Sequence, residues 1–84
     1  MTAVTVRLRY LARYAELLGV ESEELALTGP VTVSDVVAAV RARHPAASQF
    51  PAKPLCAVNF RQARWNDPVS AGDEVALLPP VAGG

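Results

Sequence analysis

The residues with the plainest chemistry stand at the end of the chain, where "LLPPVAGG" closes a sequence of 84 residues. A terminal carboxylate has a reference pKa of roughly 3.5 and is ionised at neutral pH. On Gly84 it is an unhindered oxygen nucleophile, able to attack the α-phosphate of ATP and become an acyl adenylate. The activated carbonyl carbon is then open to sulfur or nitrogen, with no side chain beside it. Gly83 and Gly84 lack Cβ atoms and can thread a channel too narrow for other residues. Pro79 and Pro80 have no N–H and a fixed φ, so neither a sheet nor a helix continues through them. They hold Val81, Ala82 and the diglycine off the body, and an extended chain from Pro79 to Gly84 reaches about 20 Å. Residues 79–84 are therefore expected to form a flexible arm that presents its acyl group inside another protein, following a domain of residues 1–78.

The other candidate groups are few. Cys56 is the single cysteine, so no internal disulfide can form. It lies among apolar neighbours and reads as a small buried hydrophobe. His44 is the single histidine; it precedes Pro45 at an expected helix end, where a cation is favoured by the dipole. One cysteine and one histidine cannot supply the usual four ligands of a structural zinc, and no metal or directly bound cofactor is expected. No nucleophile–base pair is apparent, and the N-terminal half offers only Gly19 and Gly29 towards a phosphate loop. Catalysis by this chain alone is not expected. Eight basic and eight acidic residues cancel, which leaves no electrostatic footprint for nucleic acid or an anionic membrane. Glu21, Glu23 and Glu24 read as a solvated acidic cluster. In "MTAVTVRLRY" arginines interrupt the apolar positions, unlike a signal peptide or a membrane span, so a cytoplasmic location is the expectation.

The elements that must hold the arm follow from periodicity. Val4, Val6, Leu8 and Tyr10 alternate with polar residues, the pattern of a strand with one buried face. "LARYAELLG" shifts to helical spacing, with Gly19 as its stop. "EELAL" reads as a second strand, and Thr28-Gly29-Pro30 turns the chain. Thr32 and Asp35 have the spacing of a capping box. Val33, Val36, Val37 and Val40 then form one apolar stripe of a helix that Pro45 ends. "AASQFPAKP" reads as irregular, "LCAVNF" as a strand, "RQAR" as a hairpin loop and "AGDEVALLP" as a turn with a last strand. This order predicts an α+β fold: a mixed sheet with one main helix on one face, the β-grasp or ubiquitin-like arrangement. Phe60, Trp65, Leu77 and Leu78 are candidates for an apolar surface that meets a partner. Alternation lets only one of the two leucines point into the core, and the sequence does not say which.

"GDEVALLPPVAGG", with "AVN" upstream and "LARYAELLG" near the start, resembles the small subunits of molybdopterin synthase, the MoaD type within the MoaD/ThiS group of β-grasp sulfur carriers. Gly72, Asp73, Glu74, Pro79, Pro80, Gly83 and Gly84 match that family's pattern; where members often carry an aromatic followed by Ala, this chain has Leu11 in the aromatic's place. The resemblance implies that Gly84 is adenylated with ATP by an enzyme related to ubiquitin-activating enzymes. A sulfur donor enzyme would then convert it to a thiocarboxylate. Pro79 to Gly83 would line a channel in the large subunit, where the sulfur passes to cyclic pyranopterin monophosphate. Two small subunits flanking a dimer of large ones is the assembly so implied. Carriage of sulfur towards thiamine, cysteine or transfer RNA, and conjugation of Gly84 to protein lysines, remain open alternatives.

Overall fold

A computed structural model describes residues 2–80. Strand β1 (Ala3–Tyr10) buries every second side chain, and it sits second in a five-stranded sheet ordered β2-β1-β7-β4-β5. Its antiparallel neighbour β2 (Ser22–Thr28) pairs over Ala3↔Thr28 to Arg9↔Ser22, while β7 (Glu74–Leu78) lies parallel on its other side. Beyond β7 come β4 (Leu55–Val58) and β5 (Arg61–Ala63), both antiparallel to their neighbours. A two-stranded ribbon of β3 (Val31–Thr32) and β6 (Pro68–Val69) completes the strands.

Between β1 and β2 runs the short helix α1 (Arg13–Leu18), which ends on Gly19 at φ 74°, a left-handed conformation that glycine adopts without a Cβ penalty. The main helix α2 (Val33–Arg43) begins as the sequence predicts. The Thr32 N–H donates to Asp35 Oδ2 at 2.9 Å, and the Asp35 N–H donates to Thr32 Oγ1 at 3.4 Å. These bonds satisfy two donors that the first turn would leave orphaned. Val33, Val36, Val37 and Val40 turn one stripe onto the sheet and meet Val6, Leu8, Val75 and Leu77 in a single core. The fold is thus a β-grasp, with α2 on one face of the mixed sheet.

Four local expectations need correction. The stretch after Pro45 is not wholly irregular: Pro45–Gln49 forms a 3-10 turn, stapled by the Arg41 guanidinium donating to the Ala47 carbonyl at 3.0 Å and the Ala52 carbonyl at 3.3 Å. "RQAR" is not the hairpin loop. Its first three residues are β5, and the turn lies at Asn59 and Phe60, whose φ values are 51° and 70°. Two positive φ values in a row make the two-residue turn whose twist suits a hairpin. Trp65 does not share an exposed face with Phe60; it packs half-buried against the core, and its carbonyl accepts the Ser34 N–H at the start of α2. The acidic cluster is not uniformly solvated either, since the Glu23 side chain is only 13% exposed.

Candidate functional site

Strand β7 runs straight into the proline pair, so its two faces decide which side chains stand beside the end of the sheet. Leu77 points inward and is fully buried, 0% exposed. Leu78 points outward and is half-buried. That settles which leucine belongs to the outer face and removes Leu77 from the candidate interface. Pro79 is half-buried and Pro80 exposed. Val81, Ala82, Gly83 and Gly84 lie outside the described residues, and so does the expectation that they form a flexible arm.

On the outer face the register stacks small and apolar side chains beside one another. Ala57 of β4 pairs with Ala76 of β7, and Leu55 with Leu78. Leu11 follows β1 and ties itself to β7 through its N–H on the Leu77 carbonyl at 3.2 Å. Leu11, Ala57, Phe60, Ala76 and Leu78 line an open groove of about 370 Å³, with Arg9 and Glu74 at its rim. The Arg9 Nε stands 3.8 Å from a Glu74 carboxylate oxygen. Phe60 is 86% exposed, and it is the one large apolar side chain so exposed among the described residues. The structure therefore brings together Phe60 and Leu78, the residue that precedes Pro79. It does not bring in Trp65 or Leu77.

Sequence reasoning missed Leu11, Ala57 and Ala76 as partners in this groove. The alternation in β4 and β7 carries the signal, because it turns Ala57 and Ala76 away from the core. It also missed Asn59. That side chain accepts the Glu74 N–H at 3.0 Å and donates to the Asp73 carboxylate at 3.0 Å, while the Asn59 N–H donates to the Glu74 carbonyl at 2.8 Å. Asn59 thus locks the β4–β5 turn to the start of β7 and fixes where Phe60 stands relative to the strand that leads to Pro79.

Away from this face, Glu23 gathers three partners from other elements. The Tyr10 hydroxyl donates to Glu23 Oε2 at 2.5 Å, His44 Nε2 lies 2.6 Å from the same oxygen, and Arg43 Nε is 3.2 Å from Oε1. Burial alone would raise the Glu23 pKa, but the Tyr10 and His44 hydrogen bonds and the charges of His44 and Arg43 hold it below the usual carboxylate value. His44 caps the C-terminus of α2, so this cluster ties the edge of the sheet to the end of the main helix. Cys56 is buried as expected, and burial pushes its thiol up to about 11. A thiol so protonated is a poor nucleophile.

Among the described residues, the outer face of the sheet carries an apolar groove beside the strand that leads to Pro79. Known proteins give that description a family. The profile of the ThiS family matches residues 8–84. The molybdopterin synthase sulfur carrier subunit of Escherichia coli (strain K12) is 34% identical over 85 residues, covering 94% of this chain and 99% of that protein. That of Chlamydomonas reinhardtii is 31% identical, with 94% and 98% covered. Among solved structures, SAMP1 from Haloferax volcanii, a small archaeal modifier protein, superposes with a TM-score of 0.84 at 30% identity over 95% of this chain and 99% of that one. The chain belongs to the ThiS/MoaD family and is a sulfur carrier of that family.

Proposed function

We propose that this chain is the sulfur-carrying small subunit of a molybdopterin synthase. The Gly84 carboxylate attacks the α-phosphate of ATP on an adenylating partner, and pyrophosphate leaves. Sulfide-level sulfur (HS⁻) supplied by a donor enzyme then attacks the acyl carbon and displaces AMP, with no redox change, and the chain ends in a thiocarboxylate. Inserted into the large subunit, the arm gives that sulfur to cyclic pyranopterin monophosphate, and water then cleaves the acyl–sulfur bond so formed and restores the carboxylate. This chain contributes no catalytic residue of its own. It contributes the slim acyl terminus, the proline pair that projects it, and the groove of Phe60 and Leu78 that meets a partner at its root. The single observation that carries the reading is the near full-length match to curated sulfur carrier subunits, at 34% identity in the case of Escherichia coli.

A second reading has its own support: the likeness to SAMP1 at a TM-score of 0.84. In it the Gly84 acyl group passes to a lysine amine of another protein. Both readings share the adenylate and divide after it, as does sulfur carriage towards other thiolated products. Intact-mass measurement after incubation with ATP, an adenylating enzyme and a sulfur donor tests the first steps; exchange of one oxygen for sulfur at Gly84 is expected. The loaded chain mixed with large subunit and pterin precursor should then yield molybdopterin. Isopeptide adducts to lysines with no molybdopterin formed would reverse the order of the two readings.

A further inference from the structure

A two-residue hairpin turn with positive φ at both positions ordinarily places glycine second, because a Cβ there crowds the backbone. In this chain Asn59 takes the first position and Phe60 the second, at φ 70°. Asn59 is compensated, since asparagine tolerates the left-handed region and its side chain is bonded on both sides. Phe60 is not compensated within the chain: its ring is 86% exposed. For the free protein glycine would relieve the strain and remove an exposed aromatic at once. A bulky residue that keeps both costs calls for a contact outside the chain.

We propose that Phe60 is the aromatic anchor by which this chain docks on the enzyme that adenylates Gly84, its ring entering an apolar socket beside the slot that takes the arm. The proposal rests on the carrier reading above. Two features select this occupant. The groove under Phe60 is floored by Ala76 and Leu78, on the strand that continues into the prolines, so a protein holding an arm of about 20 Å abuts this face. The second feature is chemical. Before sulfur is loaded, the arm ends in an ordinary carboxylate flanked by small residues, and every protein chain ends in a carboxylate. Recognition at the adenylation step must therefore come from the body next to the root of the arm. A later acceptor can instead read the thiocarboxylate itself. Aromatic anchors in desolvated pockets dominate such interfaces.

The test is ATP–pyrophosphate exchange by the cognate adenylating enzyme with the full-length carrier varied in concentration. Phe60→Gly should raise KM for the carrier by about tenfold or more with kcat little changed, the pattern of a lost docking contact. Its melting midpoint should equal or exceed that of the wild type, and Phe60→Tyr should restore most of the affinity. A Phe60→Gly carrier whose KM stays within about twofold of wild type overturns the anchor and leaves the carrier reading standing. A lowered midpoint in Phe60→Gly also overturns it, since the ring would then serve the fold. Absence of Gly84-dependent exchange with the wild type overturns the carrier reading and the anchor with it.

Discussion

The two faces of the sheet are built by the same strands and obey different rules. On the inner face Val6, Leu8, Val75 and Leu77 are all 0% exposed and interlock with the valine stripe of α2. Close packing accounts for every one of them. On the outer face β1 turns out Arg7, 3.9 Å from Glu24 in an exposed pair of the kind that adds little stability, and Arg9, 3.8 Å from the mostly covered Glu74. That half is an ordinary solvated sheet surface. The other half, from Leu11 across Ala76 to Ala57 and Phe60, is apolar although folding requires nothing of it. Apolar residues inside report on the fold; apolar residues outside, beside the strand that leads to Pro79, call for an account that packing does not supply.

The sharpest way to break that contrast is to truncate the adjacent leucines. Leu77→Ala should cost about 2–5 kcal/mol, through lost transfer energy and the cavity left in a close-packed core. Leu78→Ala, one residue on, should cost about 1 kcal/mol or less while weakening association with a partner. Urea denaturation of the two variants reads the difference directly. Equal losses would mean that the outer groove is part of the folding core after all.

A second test concerns the place where the inner layer admits a charge. Glu23 is an ionised carboxylate held by Tyr10, His44 and Arg43, with its folded pKa below the ordinary 4.5. A carboxylate depressed on folding contributes its stability in full above the unfolded value and loses it as pH falls through the folded one. Stability should therefore hold from neutrality to around pH 5 and decline as the pH drops below 4.5. Glu23→Gln should cost about 1–3 kcal/mol at neutral pH by leaving its partners poorly matched. The same variant should flatten the acid limb of the profile. An unchanged limb would place the acid sensitivity in another carboxylate.

How much of this was legible beforehand depends on whether the cause was local. The alternation of β1, the glycine that stops α1, the Thr32–Asp35 cap and the valine stripe are written within a few residues each, and all form as the sequence predicts. The Glu23 cluster is not, because Tyr10 and His44 lie 13 and 21 residues away and meet Glu23 only when β1, β2 and the end of α2 are assembled. The β4–β5 turn was hidden for a different reason. Asn-Gly is the usual mark of such a turn, and Asn-Phe disguises it as one more strand step. The alanines of the groove were missed because alanine carries little strand propensity. Their value lies in a register that only pairing with β7 defines.

The cap gives a smaller effect that stays entirely on the inner side. Thr32→Ala should cost about 1 kcal/mol, the usual loss when a side-chain cap is removed. On the proposed function it should leave adenylation of Gly84 untouched at temperatures well below the melting midpoint. An unchanged midpoint would show that Asp35 alone satisfies the first turn of α2.

The smallest expected change in stability has the opposite sign, and it separates the two faces most cleanly. Every truncation on the inner face removes packing and must destabilise. Phe60→Gly removes an aromatic ring too, yet the ring packs on almost nothing and the backbone beneath it sits at φ 70°. Freeing that position from its Cβ strain should stabilise the chain by about 1 kcal/mol, offset in part by the extra freedom glycine gains in the unfolded state. A calorimetric midpoint at or above that of the wild type is expected. Stability gained where binding is lost would mean that the hairpin is held in its present form by selection for contact, against the preference of its own backbone.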